Sequence, residues 1–148
     1  MAAPTRPAYL QAPNIGLVLV GGAIGAGSRE GLSLGVPDLD GVPVVITVVN
    51  VVGAFILGYL YEALTRTDPG PARTSQLKLL LGTGFCGGFT TYSSLATDTA
   101  VLIDHTRWGM ALAYALGTVL IGAGATIAGI AVAVKVHESH GAPGQHQT

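Results

Sequence analysis

The sequence predicts an all-α membrane protein with four transmembrane helices. Charged residues make up 10% of its 148 residues, against roughly 25% in a typical soluble domain. Mean hydropathy is +0.56. The charges also fall at the edges of four long uncharged runs, residues 7–28, 41–61, 79–97 and 108–134. A spanning helix needs about 20 mostly apolar residues, and each run is close to that length. Backbone groups in lipid must satisfy one another, which favours helices. A β-barrel would instead show alternating segments of about 10 residues, and none is present.

The expected helices cover about 14–35, 43–64, 75–103 and 108–136, joined by short connections. Pro37 and Pro43 punctuate the first connection, Pro69, Gly70 and Pro71 the second, and Asp104 to Arg107 form the third. The flanking segments 1–13 and 137–148 are polar or Gly/Pro-bearing and read as disordered tails. A cleaved leader is the alternative for the first run. Only one Arg precedes it and its apolar part begins late, at Ile15, which fits that alternative poorly.

Composition excludes several functions. The net charge of −1 leaves no basic footprint for nucleic acid. The single cysteine, Cys86, permits no intrachain disulfide. Ser93, Asp98 and His105 can be written as a triad, but nothing in the sequence orients them, so no enzyme is expected.

Small residues spaced by four mark helix seams: Gly21 and Gly25, Ala54 and Gly58, and the series Gly117, Ile121, Ala125, Gly129. The third helix is unusual. Gly82, Gly84, Gly87 and Gly88 alternate with Thr83, Thr90, Thr91, Ser93 and Ser94. Adjacent Gly87 and Gly88 weaken the helix there, so a break in mid-membrane is expected. Breaks at that depth are tolerated where the freed carbonyls and amides bind ions.

The other polar residues at membrane depth are neutral donors. Asn50 lies inside the second helix, as interhelical glue or as an anion donor. Tyr114, Thr118 and Thr126 form a slowly winding hydroxyl stripe on the fourth. Arg29 ends the first helix, snorkelling to the interface or placing positive charge in a vestibule. Neutral donors suit a small anion that must shed water yet leave quickly.

These residues resemble a known family. Gly87-Gly88-Phe89-Thr90-Thr91-Tyr92-Ser93-Ser94-Leu95-Ala96-Thr97-Asp98 looks like the GGxTTFSTFSxE signature of the Fluc (CrcB) fluoride channels. Gly21 to Arg29 resembles their GGxxGAxxR opening, and Asn50 to Gly58 their NxxGxFxxG segment. Tyr114 and Thr118 fit their Tyr-x-x-x-Ser pattern. The resemblance implies an antiparallel dimer of four-helix subunits exporting fluoride passively across the plasma membrane. It implies a fluoride path along Asn50, Tyr92, Ser93, Ser94, Asp98, Tyr114 and Thr118, with Arg29 near a vestibule. It also implies a structural sodium ion held by the backbone carbonyls of Gly87 and Thr90.

Two departures stand out. The family carries two phenylalanines whose ring edges face fluoride, and here those positions are Tyr92 and Leu95. Leu95 has no quadrupole to offer. The vestibular acid is Asp98 instead of Glu. The charges also favour one orientation. Arg6, Arg66, Arg73, Lys78 and Lys135 lie on the side of the termini, against Arg29 and Arg107 on the other. Positive residues prefer the cytoplasm, so both termini are expected inside, with a homologous partner subunit of opposite orientation. The rivals are a non-conducting partner subunit and a small multidrug-resistance-like transporter. The transporter class needs an acid in mid helix 1, and Glu30 lies too near the end of that helix.

Overall fold

The computed structural model describes residues 11–39 and 41–140, and among them the regular structure is helical, with one isolated bridge between Leu39 and Val42. Helix α1 spans Ala12–Gly35 and α2 spans Val44–Thr67. The third column runs α3, Pro71–Leu77, a π-helical segment, Lys78–Cys86, and α4, Gly87–Phe89. It resumes after two residues as α5, Tyr92–Asp104, and α6 closes the chain over Trp108–His140.

Helix ends follow local chemistry. Pro13 sits in the first turn of α1, where its missing N–H costs nothing, so the helix begins at Ala12 and not at 14. Asp68 leaves α2 in the left-handed conformation at φ 38° and Gly70 continues the turn at φ 92°. After α5, Thr106 takes φ 60° while Arg107 N–H donates to Leu102 O and Thr106 N–H to Ile103 O. That pair of bonds is a Schellman closure, built here without its usual glycine. Helix α6 continues past 136 because His137, Glu138 and Ser139 carry no breaker before Gly141. The rest of the two expected tails, 1–10 and 141–148, lies outside the described residues.

The helices pack as two pairs. Helix α2 lies along α6, α1 lies along the π segment and α4, and α1 and α2 meet only slightly. Glycine makes both seams. A Cβ on Gly21 would strike Leu80 O, one on Gly25 would strike Phe85 O, and one on Gly88 would strike Gly22 O. In the other seam, a Cβ on Gly58 would strike Thr126 O and one on Gly129 would strike Phe55 O. Gly117, read from its spacing as part of the same stripe, has nothing within 4 Å. Two small cores join the pairs. Ile46, Leu95, Leu102, Ala111 and Tyr114 form one, and Val45, Val49 and Phe89 the other. Phe85 stacks on Phe89 with ring centroids 5.4 Å apart.

Two helices, α2 and α6, are long and apolar enough to cross a membrane. Only 28% and 11% of their most apolar windows are buried. A soluble core helix would hide that surface; here Leu120 is 70% exposed and Ile127 68% exposed. Apolar surface on this scale needs lipid or another subunit against it.

Candidate functional site

The third column breaks at Thr90 and Thr91, whose backbones are extended (φ −83°, ψ 156° and φ −149°, ψ 117°). The sequence suggested Gly87 and Gly88 instead, yet both are helical. Gly88 is kept helical by its seam with Gly22, where only glycine fits. Thr90 ends the first half: its N–H and its Oγ1 both donate to Cys86 O, at 2.9 and 2.8 Å. Thr91 begins the second half as an N-cap, its Oγ1 accepting Ser94 N–H at 3.1 Å.

Residues far away in sequence meet the interrupted backbone. Thr91 N–H donates to Asn50 Oδ1 at 2.7 Å, and Asn50 Nδ2 donates to Thr91 O at 3.1 Å. Arg29 Nε donates to Gly88 O at 3.4 Å. In an unbroken helix Thr91 N–H would donate to Gly87 O; its diversion to Asn50 leaves the Gly87 carbonyl without that donor. Gly87 is also exposed, with open space where a Cβ would stand.

A chain of polar contacts continues from this point. Thr91 Oγ1 donates to Ser94 Oγ and also contacts Ser93 Oγ, both at 3.1 Å. Ser94 thus accepts from Thr91, and its own hydroxyl hydrogen is not used in that bond. On α6, Thr118 Oγ1 donates to Tyr114 O at 2.7 Å. Its hydrogen is therefore engaged, and Thr47 must be the donor in the 3.1 Å contact between Thr47 Oγ1 and Thr118 Oγ1. Tyr114 Oη donates to Asp98 Oδ2 at 3.1 Å. Thr126 belongs elsewhere: its hydroxyl reaches Gly122 O and Ala54 O in the α2–α6 seam.

Two cavities flank this chain. One of about 270 Å³ is lined by Asn50, Thr90, Thr91, Tyr92, Leu95 and Thr118, with neighbours on α6. The other, of about 240 Å³, is lined by Arg29, Glu30, Ser33, Asp38, Ser94 and Asp98 among others. The Thr91–Ser94 bond joins the wall of the first to the wall of the second. The first is lined by neutral polar and apolar groups, and the second mixes one guanidinium with three carboxylates.

Of the residues expected on the path, Asn50 and Thr118 line the first cavity, Arg29, Ser94 and Asp98 line the second, and Tyr114 bonds Asp98. Tyr92 and Ser93 lie further out. Tyr92 is 81% exposed, with its ring on the outer surface of the subunit, and Ser93 is exposed beside it. Leu95 is 6% exposed and packs with Ile46, Leu102 and Tyr114, so it serves the core as well as the cavity wall. Thr47 and Thr91 escaped the sequence reading as separate site residues. Thr47 stands about one turn before Asn50, and Thr91 stands three residues before Ser94 in a capping spacing.

The carbonyls of Gly87 and Thr90 are hard oxygen donors at the break, and such donors suit a hard cation. Among the described residues no group of three His, Cys, Asp or Glu forms an alternative metal site.

Residues 16–130 match the family described as CrcB-like protein, Camphor Resistance (CrcB). The chain is 42% identical over 130 residues to fluoride-specific ion channel FluC 2 of Leifsonia xyli subsp. xyli, covering 88% of this chain and 90% of that protein. It is 41% identical over 110 residues to FluC 1 of Mycobacterium tuberculosis, covering 74% and 81% respectively. It is 42% identical over 118 residues to FluC of Gloeobacter violaceus, covering 76% and 90%.

Proposed function

The chain belongs to the CrcB family, and we propose that it is a subunit of a fluoride-selective channel through which cytoplasmic fluoride leaves passively. It is not an enzyme. The observation that carries the reading is the cavity beside the break, walled by the neutral polar residues Asn50, Thr91 and Thr118 and by no charge, on which Asn50 keeps one amide hydrogen beyond its bond to Thr91 O. A small anion loses strong hydration on entering the membrane, and only hydrogen-bond donors replace it. A fixed positive charge there would hold the ion too long for conduction. Arg29 stands at the flanking cavity instead, beside the carboxylates of Glu30, Asp38 and Asp98.

The fuller arrangement is an antiparallel pair of four-span subunits in the plasma membrane, with both termini in the cytoplasm. Three features support it. The exposed apolar faces of α1 and α6 require cover. The five-to-two positive bias favours one orientation of this chain. Gly87 and Thr90 supply two carbonyl oxygens, fewer than a hard cation binds. A second subunit related by a two-fold axis would double that set, so a structural sodium ion at the contact of the two breaks fits these residues. When bound, the ion would neutralise the dipoles of carbonyls that the interruption leaves without donors.

A second reading, a supporting subunit that conducts poorly, is favoured by Leu95, which gives a family ring position to an aliphatic side chain. Fluoride efflux from liposomes separates the two. The protein is reconstituted alone and with a homologous subunit of opposite orientation. Fluoride flux without chloride flux in either preparation is expected, and its absence from both overturns the channel reading.

A further inference from the structure

We infer that Asn50 is a positioning residue for the helix interruption: its carboxamide holds the Thr91 peptide, and the line of donors from Thr91 to Ser94 depends on that hold. The inference rests on the channel reading for its functional consequence, and on the Asn50–Thr91 geometry for its physical one.

The contact is reciprocal. Oδ1 accepts from Thr91 N–H at 2.7 Å and Nδ2 donates to Thr91 O at 3.1 Å, so one side chain satisfies both polar groups of one residue. Turning the amide over would set donor against donor and acceptor against acceptor, so its orientation is dictated by its partners. The two partners lie 41 residues apart, on α2 and at the break, and no local interaction can substitute. Unpaired backbone groups at this depth would have little water to turn to. Gly53, about one turn along α2, reinforces the placement, because a Cβ there would strike Thr90 Cγ2. Asn50 and Gly53 thus form a surface on α2 that receives Thr90 and Thr91.

The hold has a consequence for recognition. Asn50 has two amide hydrogens and spends one on Thr91 O. Among the described residues the other has no partner, and Asn50 lines the 270 Å³ cavity. With the carboxamide plane fixed by Thr91, the direction of that hydrogen is fixed too. Thr91 in turn caps α5 and bonds both Ser93 and Ser94. Asn50 therefore sets the direction of its own free hydrogen and, through Thr91, the position of the Ser94 hydroxyl. A residue acting only as an anion donor would not need the second bond, to Thr91 N–H.

The test separates holding from donating by altering the partner and leaving Asn50 intact. Thr91 is replaced by its α-hydroxy acid analogue, which turns the Thr91 N–H into an ester oxygen. Fluoride efflux from liposomes should fall at least tenfold while the assembled protein elutes unchanged. In parallel, hydrogen exchange is followed across the break. Asn50→Ala should speed exchange of the Thr91 amide at least tenfold without affecting amides in the middle of α6. Asn50→Asp, which keeps an acceptor, should leave it protected. Wild-type flux from the ester protein together with unchanged Thr91 exchange in Asn50→Ala would overturn the inference. If Asn50→Ala does not fold, the ester and Asn50→Asp arms decide alone. Exchange is read without fluoride, so absence of flux in the wild-type protein would count against the channel reading and leave the hold to be judged by exchange.

Discussion

Tyr114 donates its phenolic hydrogen to Asp98 across the α5–α6 contact, at 3.1 Å, and is itself only 7% exposed. The bond ties the carboxylate to one wall of the flanking cavity that also holds Arg29. One carboxylate oxygen is thereby engaged by a donor.

Removing the phenol tests this. Tyr114→Phe should free the carboxylate, lower fluoride efflux several-fold and reduce stability by about 1.5–3 kcal/mol, the usual worth of a bond to a charged group. Asp98→Asn in the same background removes the repulsive charge and should recover part of the flux. Efflux and thermal unfolding of the single and double variants measure both effects, and equal flux in wild type and Tyr114→Phe would refute the role.

Asn50→Asp places a negative charge on the wall of the neutral cavity. Charge at membrane depth is costly, and like charge repels the permeating ion. Fluoride efflux should disappear while the protein still assembles. Unchanged efflux would remove this cavity from the path.

The α1 seam makes a stability prediction with an internal control. Gly21→Ala sets a methyl group against the Leu80 carbonyl and the Phe85 amide, both backbone atoms that cannot rotate away. Thermal stability should drop by about 1–3 kcal/mol, the range for overpacked sites. Gly16→Ala, on the same helix with nothing within 4 Å, should be neutral or stabilising by up to about 1 kcal/mol through helix propensity. Equal behaviour of the two would mean that the seam is not tightly packed.

Orientation is tested with terminal reporters. The bias of five positives to two should place a C-terminal reporter almost wholly in the cytoplasm, and vesicles holding only this protein should conduct weakly. Substituting Arg66→Gln and Arg73→Gln, with positives added near Asp38, should yield both orientations and raise flux. Strong flux from the unaltered chain alone, with reporters on both sides, would point to a dual-topology homodimer.

The sequence by itself determined the membrane class, the four helical columns and the residue types of the site. Those properties are additive along the chain: apolar length, scarcity of charge, glycine spacing and neutral donors are local facts that folding does not revise. The glycine pairs Gly21 with Gly25 and Ala54 with Gly58 could be read as seams because a missing Cβ has one main use between helices. Tertiary structure alone decided which of these features meet. Local propensity pointed to Gly87 and Gly88 as the break, but both are helical, Gly88 in its seam against Gly22, and the interruption falls at Thr90 and Thr91, where Asn50 clasps the backbone. The π-helical segment Lys78–Cys86 likewise has no signal in composition. Leu95 packs in the core while Tyr92, in the first turn of α5, stays largely exposed, a difference set by which neighbours reach each position. A bond between residues 41 positions apart has no local trace. It exists because α2 and the broken column are brought side by side, and only then do the two polar groups of Thr91 find one carboxamide that satisfies both.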